Sequence, residues 1–181
     1  MTIDLDIRET TAADMPAIAD FYPRAFPDED LVALVRELLR EPGGVLSLTA
    51  LVMGEVAGHV IFTICGLDPH PGAKVALLGP LAVVPEYHRR GIGTALIRDG
   101  IERCGAVGAV SVLVLGDPGY YGRFGFKAED GIKPPYHVAD EQLPPEWRGA
   151  WQSMPIDGDD TLRTGTVMVP TPWQHRNMWL P

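Results

Sequence analysis

Over the first 45 residues, the spacing of the apolar residues changes from that of a strand to that of a helix. Residues 3–8 alternate apolar and charged side chains, which predicts a half-buried strand. Thr11 or Asp14 can cap a helix that runs to about Tyr22. A second helix opens at the acidic residues 28–30, whose charges favour its positive end. Its predicted apolar face recurs at helical spacing and consists of Leu31, Val35, Leu38 and Leu39.

Three strands are predicted in the middle of the chain. Residues 46–53 and 56–65 flank the dipeptide Gly54-Glu55, which predicts a hairpin that turns there. Residues 75–84 form a nearly continuous apolar run, as expected of a central strand buried on both faces. The dipeptide Gly79-Pro80 interrupts this run. Because proline cannot donate to a ladder, it predicts a bulge or a place where neighbouring strands part.

Helices and strands alternate over the next part of the chain. The pattern over residues 91–104 predicts a helix, and residues 109–115 have the pattern of a buried strand. A short helix over residues 119–124 leads to a strand that starts at Phe126. The predicted apolar face of the first of these helices consists of Ile92, Ala95, Leu96 and Ile101.

The last part of the chain, residues 129–181, has a different composition. It holds eight of the 17 prolines and all four tryptophans. Prolines at this density favour turns and extended segments over long helices, and a disordered tail rarely holds every tryptophan of a chain. We expect one domain over residues 1–181, with a core of about 3–128 and this C-terminal extension packed on it. Residues 164–169 have the pattern of a final strand.

The net charge of the chain limits which classes of binding partner are expected. The net charge is −9, so nucleic acid is not an expected partner, because phosphate binding needs basic surface. An acidic protein favours a cationic substrate such as an amine by long-range attraction. No apolar run approaches the ~20 residues that a membrane helix needs, so no membrane partner is expected. Residues 1–6 lack the basic and apolar regions of a signal peptide, and a cytoplasmic location is expected.

Cysteine and histidine give no sign of a metal site. Cys65 lies in a predicted strand and Cys104 near a helix end, and their spacing matches no metal motif. We interpret both as small buried apolar groups. The five histidines are scattered with no two at ligand spacing, so no metal is expected.

The most informative stretch runs from Val83 to Ile97. An apolar run is followed by a basic turn with Arg89 and Arg90, then by Gly91 and Gly93 at the start of the predicted helix. The glycines let backbone N–H groups approach a ligand, and a helix start adds unpaired N–H groups and a positive dipole end. This pattern suits a diphosphate, although a Gly-x-Gly turn after a strand also serves as a plain structural turn.

A second motif supports the first. The run His88-Arg89-Arg90-Gly91-Ile92-Gly93 is followed by Tyr121-Gly122-Arg123-Phe124-Gly125-Phe126. In this order and at this separation, the two motifs resemble those of the GNAT superfamily of N-acetyltransferases. Residues 115–126, the Pro134-Pro135-Tyr136 turn and the Gly165-Thr166-Val167 end are similar to its YhbS-like branch. The resemblance covers roughly residues 3–170 and is weakest through 130–160.

The resemblance implies an α/β GNAT fold, with a mixed, mostly antiparallel central sheet flanked by helices and with the fourth and fifth strands splayed. It implies an enzyme that transfers an acetyl group directly from acetyl-CoA to a primary amine, on a small molecule or an exposed amino group. The backbone of Leu81, Ala82 and Val83 would pair with the pantetheine arm. The diphosphate would be held by the turn residues His88, Arg89, Arg90, Gly91, Ile92, Gly93 and Thr94. Oligomeric state stays open, with a homodimer as one expectation.

Tyr121 occupies the position where many GNAT enzymes place a general acid. A phenol has a pKa near 10, so it can donate to a departing thiolate at little energetic penalty. The neighbouring Tyr120 is the competing candidate, and a packing role is the alternative for either. The general base stays open among four residues and a chain of water molecules. Those residues are Glu29, His59, His70 and Glu86.

Two positions depart from the family pattern. The first residue of the turn motif is usually Gln or Arg, and here it is His88, whose protonation would add positive charge near phosphate. The Asn that often precedes the tyrosine by seven residues is replaced by Val114. A non-catalytic acyl-CoA-binding module is therefore the alternative to an enzyme. A nucleotide phosphate-binding enzyme is disfavoured because the Gly-x-x-x-x-Gly-Lys-Ser/Thr pattern is absent. We also hypothesise that the extension shapes the acceptor pocket.

Overall fold

The computed structural model describes residues 4–137, 139–158, 162 and 164–180, so residue 3 of the predicted first strand lies outside it. Four helices occur in these ranges: α1 (Met15–Ala25), α2 (Leu31–Leu38), α3 (Ile92–Ala106) and α4 (Pro118–Tyr121). The strands are β1 (Leu5–Glu9), β2 (Val45–Val52), β3 (Glu55–Asp68), β4 (His70–Val83), β5 (Ala109–Leu115), β6 (Lys127–Ala128), β7 (Ile132–Lys133), β8 (Trp151–Pro155) and β9 (Gly165–Met168).

The strands follow the order β1-β2-β3-β4-β5-β8-β6, and β9 pairs with β3 and β7. The β4–β5 and β7–β9 pairs are parallel. The pairs β1–β2, β2–β3, β3–β9, β5–β8 and β6–β8 are antiparallel. This mixed, mostly antiparallel sheet with flanking helices is the α/β fold that the resemblance implies. The parallel register of β4 with β5 runs from Lys74 to Leu77 and so ends two residues before Gly79.

The chain forms two compact units. The first comprises the described parts of Met1–Thr63 with Gly79–Arg103, and the second comprises Ile64–Leu78 with the described parts of Cys104–Pro181. In the first unit, α3 packs closely on β3 at Gly100, where a Cβ would lie 2.0 Å from the Phe62 ring. Only glycine allows this approach, so α3 packs directly on the Phe62 ring of β3.

The second unit has its own core. The buried cluster joins strand residues with three residues of the extension, Ile132, Val167 and Trp179. Trp151 also packs against this cluster. The extension therefore contributes large apolar side chains to the core of its unit.

The hairpin turn differs from the prediction by one residue. The turn residues are Met53 (φ 51°) and Gly54 (φ 83°), while Glu55 already pairs with Val52. A two-residue hairpin turn with positive φ at both positions matches the twist of the strands and favours glycine at the second position. The hairpin turn was predicted at Gly54-Glu55, with glycine in the first turn position, and this prediction was wrong.

In two helices the buried face differs from the predicted one. In α2 the buried residues are Leu34, Val35 and Leu38, whereas Leu39 is 37% exposed because it follows the last helical turn. In α3 the buried set includes Ile92, Leu96, Ile97 and Cys104, and Ala95 and Ile101 are only half-buried. The close approach at Gly100 rotates the buried face toward the row 92, 96, 100 and 104.

Other elements were confirmed, extended or missed. The first helix continues past Pro23 to Ala25, and β4 begins at His70, five residues before the apolar run. Both cysteines are buried, and burial raises the pKa of each thiol to about 12. Strands β7 and β8 were not predicted, because their pairing partners are distant in sequence. No helix within the described residues is long and apolar enough to cross a membrane.

Candidate functional site

The predicted turn begins at the end of β4. Ala82 is buried, and Leu81 and Val83 are half-buried. The backbone N–H of Val84 donates to the carbonyl of Ala57 at 2.9 Å, which holds the strand end against β3. A single 3₁₀ turn over Pro85–Tyr87 then redirects the chain.

The His88 side chain folds back onto the strand. Its Nε2 lies 2.9 Å from the carbonyl oxygen of Val83, so Nε2 carries the proton and donates it. This contact braces the turn against the last residue of β4. The imidazole thus supports the backbone of the turn, a use that the motif comparison did not suggest.

The turn backbone has two residues in the left-handed region, Arg89 at φ 61° and Gly91 at φ 81°. Such a conformation costs a non-glycine residue about 1 kcal/mol, and these outliers cluster at functional sites. Apart from its own chain neighbours, no atom of the described residues lies within 4 Å of a Cβ built on Gly91. The space in front of this glycine is therefore open, and side-chain crowding does not explain the glycine.

The start of α3 presents unpaired donors. The first intrahelical bond runs from the Ala95 N–H to the Gly91 carbonyl at 2.9 Å. The N–H groups from Gly91 to Thr94 precede it and have no backbone acceptor among the described residues. Together with the helix dipole, they can bind an anion such as a phosphate group.

Positive side chains stand at the rim of this turn. Arg89 and Arg90 are exposed, and neither forms an ion pair among the described residues. The Arg90 guanidinium lies 5.6 Å from the centre of the Tyr87 ring, a cation–π contact that limits its range of positions. Both guanidinium groups are therefore available to pair with a negatively charged ligand.

Packing beneath the turn fixes where α3 begins. Ile92 is buried, and a Cβ on Gly58 would lie 3.0 Å from its Cγ2 atom and 3.3 Å from the Ala82 carbonyl oxygen. The glycine at 58 lets β3, β4 and α3 approach closely. This position was not singled out by the sequence, because its partners are separated from it by more than 20 residues.

Tyr121 lies in the second unit, at the end of α4. Asp117 caps this short helix by accepting from the Gly119 N–H at 2.8 Å. The Tyr121 ring packs edge-on against Tyr120 and Phe126. Gly116 lies directly beneath it, because a Cβ there would be 2.5 Å from the Cε2 atom of Tyr121.

The hydroxyl of Tyr121 carries its proton at neutral pH. Burial, with a smaller contribution from Tyr120, raises its pKa above the ordinary value, so the phenol stays protonated at neutral pH. The hydroxyl forms no hydrogen bond with any described residue, and no side-chain oxygen in that part of the chain is both fully buried and unpaired. The oxygen therefore keeps access to solvent or to a ligand.

His59 is not available as a general base. The ring is fully buried, its Nδ1 accepts from the Tyr22 hydroxyl at 2.8 Å, and its Nε2 donates to Ser47 Oγ at 2.7 Å. The proton assignment follows because Ser47 Oγ donates onward to Thr10. Burial lowers the pKa of His59 to about 3. This histidine is a structural link between α1, β2 and β3.

The other base candidates are dispersed. Glu86 is exposed and pairs with Arg24, and its own backbone N–H and this arginine lower its pKa. Glu29 is exposed, and His70 Nε2 lies 2.9 Å from the Thr164 carbonyl oxygen. Glu86 stands two residues before His88, which also contributes to lowering its pKa, but its carboxylate is engaged by Arg24. Within the described residues, no group of three His, Cys, Asp or Glu could hold a metal ion.

Comparison with known proteins identifies the family. The acetyltransferase (GNAT) family model matches residues 13–126. The uncharacterized N-acetyltransferase YjhQ of Escherichia coli K12 is 32% identical over 166 residues, which cover 90% of this chain and 91% of YjhQ. The crystal structure of the Escherichia coli GNAT N-acetyltransferase YhbS in complex with CoA has a TM-score of 0.80 at 25% identity and covers 97% and 94% of the two chains.

A second solved structure gives the same result. A GNAT acetyltransferase from Brucella melitensis in complex with acetyl-CoA has a TM-score of 0.70 at 26% identity, covering 94% of this chain and 99% of its own. The family model spans more than half of the chain, and YjhQ matches nearly its whole length. This protein therefore belongs to the GNAT acetyltransferase family, in a branch similar to YhbS.

Proposed function

We propose that this acetyltransferase moves an acetyl group directly from acetyl-CoA to a primary amine. The observation that carries the proposal is the turn at residues 88–94, which combines open space at Gly91 with N–H groups that lack a backbone acceptor among the described residues. The relatives add support, since the YhbS structure contains CoA and the Brucella melitensis structure contains acetyl-CoA.

The residues present fit the diphosphate of this coenzyme. The backbone N–H groups from Arg89 to Thr94 would hold it, with positive charge from Arg89 and Arg90 at the rim. The side chain of His88 would support the turn rather than contact the diphosphate, because its Nε2 already donates a hydrogen bond to the Val83 carbonyl. The main chain of residues 81–83 would pair with the pantetheine arm, whose amides can continue a strand ladder.

Tyr121 would supply the proton. Acetyl-CoA provides a thioester, and transfer of its acetyl group to an amine leaves a thiolate that must be protonated. The Tyr121 phenol holds its proton at neutral pH, and its hydroxyl has no competing acceptor among the described residues. No side chain is assigned as base, and a water chain remains sufficient for that step.

An amine screen tests this function. The purified protein is mixed with acetyl-CoA and a panel of primary amines, and released CoA thiol is measured. Matched alcohols serve as controls, because they share shape but lack the nucleophilic nitrogen. Turnover with at least one amine and none with its alcohol supports the proposal. Absence of turnover across aliphatic, aromatic and peptide amines, with coenzyme bound, would favour the non-catalytic alternative.

Other features remain predictions from the sequence. They are the cytoplasmic location, the lack of a nucleic-acid or membrane partner, a homodimer, and the division into a core and an extension within one domain. Size-exclusion chromatography with light scattering tests the homodimer directly.

A further inference from the structure

A cavity of about 260 Å³ lies in the second unit and is walled by the C-terminal extension. Four aromatic side chains line it: Tyr136, Trp147, Trp151 and Trp179. We call it the tail pocket and define it by these four rings. At ~30 Å³ per water molecule, its volume corresponds to about nine waters, which is room for a small organic molecule.

The rings of the tail pocket are held in place by their own polar atoms. Three of them donate to backbone carbonyls: Trp151 Nε1 to Ile132 at 2.7 Å, Tyr136 Oη to Gln174 at 3.0 Å, and Trp179 Nε1 to Trp173 at 2.8 Å. Because these three groups already donate hydrogen bonds to backbone carbonyls, they are not available to a ligand. What the rings offer is mainly their π faces, which attract cations.

The charged lining has an excess of carboxylates. Among the described lining residues, Glu129, Asp130 and Glu141 contribute three negative charges against one positive charge from Lys133, a difference of −2 when histidine is counted as neutral. Asp130 and Glu141 are exposed and form no hydrogen bond or ion pair among the described residues. Their oxygens are therefore available to accept hydrogen bonds from a ligand.

Glu129 has a different task. Its Oε1 accepts from the N–H groups of Gly131 and Ile132 at 2.7 and 2.9 Å, and its Oε2 accepts from Ser153 Oγ. These bonds pin the loop between β6 and β7 to β8. Glu129 thus shapes the pocket wall while adding to its negative potential.

The pocket and Tyr121 meet the same strand end. Leu115, the last residue of β5, lines the pocket, and the next residue, Gly116, lies beneath the Tyr121 ring. The Gly116 N–H donates to Ala150, which adjoins the pocket residue Trp151. The pocket and the proposed proton donor therefore adjoin two consecutive residues at the end of β5.

We propose that the tail pocket binds the acceptor, and that this acceptor carries a protonated primary amine on a small apolar body. The proposal rests on the function proposed above. The aromatic faces accommodate the apolar body and the cation, and Asp130 and Glu141 accept hydrogen bonds from the ammonium group. An anionic acceptor would meet two surplus negative charges, with Lys133 as the one Lys or Arg among the described lining residues.

Tryptophan fluorescence measures this binding without coenzyme, because three of the four tryptophans line the pocket. The probes are 2-phenylethylamine, the neutral 2-phenylethanol and the anionic 3-phenylpropionate, which share a similar shape. We expect saturable quenching with the amine, weaker quenching with the alcohol and the weakest with the carboxylate. Equal or tighter binding of the alcohol or the carboxylate would overturn the proposal.

Variants locate the site. Asp130→Asn and Glu141→Gln each weaken binding of the amine about threefold, as expected for exposed charge pairs. Trp147→Leu keeps an apolar side chain but removes the π face, and it weakens binding about fivefold. Glu146→Gln is the matched control, because Glu146 is an exposed neighbour that does not line the pocket. An equal effect of the control would contradict the assignment.

A coenzyme measurement separates the two proposals. Each variant is also titrated with acetyl-CoA, and its urea midpoint is compared with that of the unchanged protein. Intact folding and coenzyme binding together with a raised KM for the amine support the acceptor pocket. Unchanged KM in all three variants overturns it and leaves the acetyltransfer proposal standing. If the protein without substitutions did not bind acetyl-CoA, the proposed reaction itself would be overturned.

Discussion

The turn at residues 88–94 and the tail pocket offer ligands two different surfaces. The turn presents main-chain N–H groups, a glycine with open space in front of it, and a helix start. The pocket presents side chains, and several of them are positioned by hydrogen bonds between segments distant in sequence. The first arrangement suits an anionic ligand held by the backbone, and the second suits a ligand recognised by side chains.

The largest effect is expected at Tyr121. Tyr121→Phe removes the hydroxyl while keeping the ring that packs on Gly116. Because a general acid contributes about 10²-fold or more, kcat is expected to fall by about 100-fold with little change in affinity for acetyl-CoA. Tyr120→Phe is the control and should retain most of the activity. The reverse pattern would assign the acid to Tyr120, and no loss in either variant would contradict a tyrosine acid.

The next effect concerns the stability of the extension. Trp151→Phe removes the Nε1–H donor to the Ile132 carbonyl and leaves a smaller ring beside Trp179. The lost hydrogen bond and the gap are expected to lower the free energy of unfolding by about 2 kcal/mol. Urea unfolding measures this change. Trp147→Phe, which keeps a ring in a half-buried position, should cost clearly less; equal losses would argue against the Ile132 contact.

Gly91→Ala probes the turn without crowding the protein. No atom lies within 4 Å of the added methyl, but the residue has φ 81°. The methyl and the backbone strain are expected to weaken acetyl-CoA binding about tenfold, since a left-handed residue costs ~1–2 kcal/mol without glycine. Gly43→Ala is a matched control, because Gly43 also has open space but lies outside the left-handed region. Calorimetry on both variants should show a difference confined to Gly91.

His88→Ala has the smallest expected effect. It removes the 2.9 Å bond from Nε2 to Val83, which is an exposed contact, so coenzyme affinity should fall only about threefold. His175→Ala, at an exposed position of the extension, should leave affinity unchanged. If His88→Ala abolished coenzyme binding, the imidazole would be a direct phosphate ligand and the bracing role would be wrong.

The two regions also differed in how far the sequence could predict them. The glycines and basic residues of the turn are contiguous, and their spacing reports a local backbone shape that the structure confirmed at Gly91. The start and end of β5 were likewise readable from one apolar run. Such features depend on neighbours within a few residues.

The remaining features depend on distant partners. Strand β8 has no strong pattern of its own, and it exists because Trp151–Pro155 pairs with β5. Glu129 looked like any surface acid, but its carboxylate also accepts from Ser153 Oγ, which is 24 residues away along the chain. His59 was a base candidate until its burial between Tyr22 and Ser47 became visible. No local period encodes these contacts.

Calorimetric titration of the purified protein with acetyl-CoA tests the central claim most directly, with CoA and ATP as controls. The account predicts micromolar binding of both acetyl-CoA and CoA, and much weaker binding of ATP, because the turn and strand end suit a diphosphate joined to a pantetheine arm. Absence of binding to either coenzyme would contradict the account, even though the family and the fold would stand.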